Sequence, residues 1–435
     1  MGQGFSERLR RLRREAARGP AVPRESGGGV RESLARRAGR LPGSDDPTSP
    51  DLVERDVGLP RALDVHPGPA GEVHARVEVL PSDHLHGGWA LACTGDVDPD
   101  FIELLARDPA LAGMELERAV FLDTETTGLS GGAGTYVYMV GLGRFVDGAF
   151  ELWQGFLPDP SGERALLAEV ARRIEEADAV VSFFGKSFDR HRLEDKMRIQ
   201  GVAPPFASRP HLDLYHPFQR LTKGRLPDGR LQTMERELCG LDRPDDLPGS
   251  MAPAAWFDFV AGRAHRLEGV FRHNRDDVLS LVTLAAYLGR VGEECRPDGG
   301  PLEGCPAARA LGVGRALLAA GSRERALGWL DRAEERAREG GLDWREVAAL
   351  RAEALRRIGR ASESRVAFES VLEDPTVDRT ALSCCIGLAK LCEHALGDTQ
   401  AALVAVARAE QLVATGAVRS TDDLARRRSR LERRR

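Results

Sequence analysis

The stretch Ala119-Val120-Phe121-Leu122-Asp123-Thr124-Glu125 constrains this chain more than any other. Its four apolar residues read as a buried strand that ends in two carboxylates spaced i, i+2. Strand side chains alternate faces, so Asp123 and Glu125 share one if the extended backbone continues to residue 125. Like charges that close disfavour each other's ionisation unless a cation lies between them, and hard oxygen donors suit Mg²⁺ or Mn²⁺. Asp and Thr also cap turns and helices, so the pair alone leaves a structural reading open.

The rest of the chain supplies context. Its 435 residues are enough for two or three domains. The net charge of −5 is modest, and only four of the 62 basic residues are lysines (Lys186, Lys196, Lys223, Lys390). An arginine excess of this kind is read as compositional, so charge alone identifies no partner. Seven cysteines without a CxxC pair, two of them adjacent at Cys384-Cys385, suit reduced thiols and a cytoplasmic protein. No apolar run is long enough to span a bilayer.

Residues 1–50 are poor in periodic apolar positions and read as a disordered basic arm, and 51–115 as an N-terminal extension with a strand at 73–80 and a helix at 99–111. Within it, His84 and His86 have no nearby third ligand and read as loop histidines. A Gly-rich loop, Ser130 to Gly134, follows the acidic strand; no GK[ST] completes a phosphate cradle. Strands at 135–142 and 150–157, joined by the short link Val146-Asp147-Gly148-Ala149, form a hairpin. A helix at 162–176, a buried strand at 179–184, a helix at 188–200 and a strand at 211–214 complete an α/β fold with a mixed sheet over 116–292.

Beyond residue 300 the strand signal disappears. Gly321, Gly359 and Gly397 recur every 38 residues, with Ala326, Ser364 and Ala402 five positions on and Ala333, Val371 and Ala409 twelve on. Small residues at fixed offsets predict stacked helix pairs over 305–415, followed by a basic tail at 416–435. The spacing resembles a tetratricopeptide array of three repeats, although most of that family's aromatic positions are missing.

Two further acidic positions are candidates for the site of Asp123 and Glu125. Asp189 follows a buried strand and a turn. In His273-Asn274-Arg275-Asp276-Asp277, His273 and Asp277 lie about 40° apart on one helix face. Asp276 is also placed to reach that face. Each has an ordinary alternative: Asp189 as a helix cap, Asp277 as a first-turn acid, His273 as an exposed polar residue.

Together these segments resemble the three motifs of the DEDD exonuclease superfamily, and more closely the YprB-like family of ribonuclease-H-like proteins. The resemblance covers roughly residues 80–290 and rests on FLDTETTGLSGGAGTY, FGKSFD (184–189), HLDLYHP (211–217), LPGSMAP (247–253) and HNRDDVLSL (273–281). It implies a ribonuclease-H-like sheet and two divalent cations, Mg²⁺ or Mn²⁺, held by Asp123, Glu125, Asp189 and Asp277. It also implies that His273 orients or deprotonates the attacking water. The resemblance alone selects Asp277 over Asp276. Two positions depart from the pattern: Phe184 stands where an Asn is common, and His273 lies four residues before Asp277, the spacing usual for Tyr.

The implied activity is 3′-5′ hydrolysis of single-stranded DNA or RNA ends. A non-catalytic nucleic-acid-binding adaptor that recruits a protein through the helical repeats is the alternative. The repeats carry mixed Arg and Glu rather than a basic stripe with aromatics, which favours a protein partner there. The arm and the basic tail read as solvated tails, with salt-dependent phosphate contacts as the alternative.

Overall fold

The computed structural model describes residues 56–128, 134–222, 225–293, 306–419 and 424–434. The basic arm, most of the Gly-rich loop and Lys223 lie outside them. Strand β1 (Asp64–Gly68) pairs with β2 (Gly71–Pro81), and a small ladder follows, β3 (Leu85–His86) with β4 (Trp89–Ala90). Helix α1 (Pro99–Ala106) then leads to β5 (Ala119–Thr126), β6 (Val137–Val146) and β7 (Ala149–Phe156). Helix α2 (Glu163–Glu175), β8 (Ala179–Ser182), α3 (Asp189–Ile199), β9 (His211–Asp213) and α4 (Tyr215–Thr222) alternate after that.

The main sheet has the order β1-β2-β7-β6-β5-β8-β9. Strands β7, β6 and β5 are antiparallel, whereas β8 joins β5, and β9 joins β8, in parallel. The β6–β7 link is a two-residue turn with positive φ at Asp147 and Gly148, the geometry that matches strand twist. The stretch expected to be an extension instead supplies strands to this sheet, because β2 pairs with β7 along eight residues, His74 to Pro81. The expected helix at 99–111 ends at Ala106 and resumes as one turn at Pro109–Leu111.

Helices α5 (Leu231–Met234), α6 (Ala252–Val260) and α7 (Leu267–Glu293) close the α/β part. One apolar layer joins Val120, Leu122, Trp153, Leu166 and Trp256 on one face of the sheet. The other runs from Phe121 and Phe150 through Val278, Leu281 and Leu288 of α7 into Leu311, Leu330 and Phe368. Those last residues belong to the pairs α8 (Ala307–Ala319) with α9 (Arg323–Glu339) and α10 (Trp344–Ile358) with α11 (Ala361–Glu373). A third pair is α12 (Arg379–Leu391) with α13 (Thr399–Ala414), and α14 (Leu424–Glu432) caps it.

All six small residues at the 38-residue offsets are fully buried between helices, while Gly321, Gly359 and Gly397 take positive φ where the first helix of each pair ends. Within the basic tail, Leu424–Glu432 is helical and its Arg427, Arg428 and Arg430 pair with acids outside the tail. Arg427 and Arg430 donate to Glu393 at 2.6 and 2.7 Å, and Arg428 pairs with Glu410, so these arginines are not free for phosphate.

Candidate active site

Strand β5 stays extended through Thr126, which places Asp123 and Glu125 on the sheet face covered by α7. The helix approaches closely because β6 has no side chain opposite Asp123. Gly141 is its register partner, and a Cβ there would lie 2.5 Å from Asn274 Oδ1 and 2.8 Å from Val278. Gly143, two residues on, is equally tight against Val278. The separation of helix and strand, and with it the position of His273 and Asp277, follows from these two glycines.

Asp189 arrives from the other neighbour of β5. Strand β8 stops at Ser182, and the chain turns through Phe184, with φ at 60°, before α3 begins at Asp189. The expected strand thus ends two residues early. Asp213 at the end of β9 fixes the turn by accepting the N–H groups of Phe184 (2.7 Å) and Lys186 (3.1 Å). Thr124 donates to Asp189 Oδ1, linking the two elements.

Each of three carboxylates is gripped through one oxygen. Asn274 Nδ2 donates to Asp123 at 2.7 Å and is itself held by Gln154 at 2.9 Å. Thr124 holds Asp189, and Arg243 Nη1 holds Asp277 Oδ1 at 2.6 Å. Arg243 also bonds the buried Glu235. His273 Nδ1 meets Asp246 at 2.7 Å, while Nε2 faces Asp277 at 3.6 Å and Glu125 at 4.0 Å. Asp276 turns to Arg275 at 2.9 Å. The structure therefore brings Asp123, Glu125, Asp189, His273 and Asp277 together.

The electrostatics are those of crowded acids. Burial, then the charges of Asp277 and Asp189, push Asp123 well above the usual carboxylate range. Glu125 is raised by burial and by Asp123, and Asp189 is raised to about 6, mainly by burial. Burial opposes protonation of His273, but its hydrogen bond to Asp246 and the charges of Asp277 and Glu125 outweigh it and raise the ring to about 10. Among the described residues no three His, Cys, Asp or Glu side chains converge as a metal-holding group. Asn274, Thr124 and Arg243 occupy carboxylate oxygens that a cation would otherwise use. The all-oxygen donor set and the raised acids nevertheless fit hard divalent cations.

Sequence reasoning missed Asn274, Gln154, Asp246 and Arg243. It also placed His86 in a surface loop, whereas the ring is buried against α7, 2.9 Å from Ser280 Oγ, and burial lowers it to about 3.

A strand-end acidic pair, an acid at the start of a helix beside the parallel strand, and a His and Asp on a helix across the sheet gather on a mixed seven-stranded sheet that has the ribonuclease-H-like fold. Residues 120–289 match the model of the RNase_H superfamily. The chain is also 32% identical over 213 residues to a protein of Bacillus subtilis (strain 168) named "Uncharacterized protein YprB". The alignment covers 48% of this chain and 51% of that protein, so the chain spans about half the length of the curated relative it matches. Among the described residues no helix is long and apolar enough to cross a membrane.

Proposed function

We propose that this protein is a metal-dependent nuclease that removes nucleotides from 3′ ends of single-stranded DNA or RNA. The observation that carries the reading is the gathering of Asp123, Glu125, Asp189 and Asp277, from three elements, in a spot where burial and mutual repulsion raise the first three. A fold gains nothing from uncompensated buried acids, whereas a cation site requires them.

These four residues would hold two divalent cations, Mg²⁺ or Mn²⁺, which supply Lewis-acid stabilisation of the charge that develops on a phosphodiester in hydrolysis. The remaining chemistry belongs to the chain. Asn274 and Arg243 fix Asp123 and Asp277, and Asp246 fixes the His273 ring with Nε2 toward the acids. With the carboxylates unneutralised, His273 is a proton donor at neutral pH. It becomes able to orient or accept a proton from water once that negative field is cancelled, a role worth on the order of 10²–10⁴ in rate.

The test is digestion of end-labelled single-stranded DNA and RNA with Mn²⁺ or Mg²⁺, native protein against Asp123→Ala. Stepwise shortening from the 3′ end by the native protein alone supports the reading. Equal digestion by both assigns the activity to a contaminant, and binding without cleavage leaves the adaptor.

A further inference from the structure

A groove of about 490 Å³ lies between α4 and the helices α8 to α10. Its walls carry Arg107, Arg220, Arg315, Arg323 and Arg357 against one acid, Glu353. Two of the five are paired with carboxylates, Arg315 with Glu346 and Arg357 with Glu353 at 2.8 Å, and, among the described residues, the other three are not. Here Arg220 donates only to the carbonyls of Leu105 and Ala106, at 2.6 and 2.9 Å. The side chains of Arg107 and Arg323 have no hydrogen-bond or ion-pair partner among the described residues, and both residues are exposed. The groove is a fixed seam, because a side chain on Gly312 of α8 would collide with the backbone of Leu221 in α4.

Neighbouring residues connect the acids to this groove. Gly185 abuts Asp189, since a Cβ on it would stand 3.0 Å from Oδ2, and Phe184 precedes it in the chain. Phe184 is 47% exposed, held at positive φ by Asp213, and its ring meets Tyr215 edge-on with centroids 5.0 Å apart. An exposed aromatic ring on a fixed backbone is a stacking surface for a base. Tyr215 opens α4, and Gln219, one turn or about 6 Å further on, lines the groove beside Arg220.

We infer that this groove holds the phosphodiester backbone of the single strand whose end occupies the acidic site, with the strand passing over Phe184 and Tyr215. The inference rests on the nuclease reading for the position of the strand end. Three arginines without carboxylate partners among the described residues, Arg107, Arg220 and Arg323, beyond an aromatic step match a sequence-tolerant nucleic-acid track and give the helical pairs a substrate role in place of the expected protein partner.

The test measures binding of a fluorescent trinucleotide and a twenty-nucleotide strand, as oligo-dT and as oligo-U, in EDTA across a salt series. Native protein should bind the long strand more tightly than the short one. In R107E/R323E that gain should fall at least about 10-fold and the log–log salt slope should shrink by at least about 1.4, at 0.7 per lost contact. An unchanged melting temperature would show that both exposed substitutions leave the fold intact. The two strand chemistries tell DNA from RNA. Unchanged affinity and slope in the variant overturn the inference, as does native protein that binds a polyglutamate peptide but neither strand. Cleavage with Mn²⁺ is read separately. Arginine-dependent, length-dependent binding without cleavage keeps the groove and removes the nuclease reading, and cleavage with unaltered binding in the variant does the reverse.

Discussion

Glu125 and Glu393 are both acids with little solvent access, and they sit in opposite electrostatic worlds. Glu125 lies among Asp123, Asp189 and Asp277 and is raised; Glu393 receives Arg430 and Arg427 from α14 and Arg434 just beyond it, and is lowered to about 2. The helical end thus uses charge for cohesion, while the sheet end gathers charge that destabilises the cation-free protein. The contrast locates where the chain has traded stability for a site.

The sharpest way to break the comparison is Asp123→Asn, which keeps shape and an acceptor for Asn274. Cleavage should fall by at least about 10³-fold, roughly 4 kcal/mol of transition-state stabilisation. The cation-free protein should melt higher, since one buried like charge is gone. A lower melting temperature would show that Asp123 is structural.

Gly141→Ala should lift α7 from β6 and cost about 1–3 kcal/mol in denaturant unfolding, with activity falling as well. Loss of stability with full activity would mean that the helix position does not set the site. At the other end, Glu393→Gln should cost about 2 kcal/mol and expose α14 to trypsin, because three arginines lose their common negative charge and one of its two acceptor oxygens.

The same acid gives a signed pH dependence. Its folded value lies below the ordinary 4.5, so its contribution is fully present above pH 4.5 and is lost as pH falls toward about 2. Acid unfolding of Glu393→Gln should therefore lack this component, and identical acid curves for the two proteins would refute it. The smallest effect is expected for Phe184→Gly. Relief of the positive φ should stabilise by about 1 kcal/mol while single-strand binding weakens; binding that is unchanged would remove Phe184 from the substrate path.

What was legible follows the same division. Strand β5 could be read because a continuous apolar run ends in acids, and the helix pairs because small residues recur at a fixed interval. Strand β1, Asp64-Val65-His66-Pro67-Gly68, has neither signal and forms only as an edge that β2 pairs with. The supports of the site were hidden for a different reason. Asn274 meets Asp123 across 151 residues and Gln154 meets Asn274 across 120, so no local pattern announces them. Arg243 and Asp246 sit in a Pro- and Asp-rich loop whose only local reading is a turn. Asp276 and Asp277 differ by 100° of helix rotation, and packing rather than sequence decides which one looks at β5.

Helix α7 carries His273 and Asp277 near one end and Tyr287 near the other, where Trp89 and Phe218 pack on the ring and Arg309 of α8 lies over it. His273 and Tyr287 are about 21 Å apart along this rod. A rod pivoted at Tyr287 moves its far end by about 1 Å for a tilt of only about 3°, and displacements of that size are felt about 100-fold in catalysis. Tension on the helical pairs would therefore arrive at the acids as leverage, which makes α7 the gauge through which a load on one half of the molecule is registered in the other.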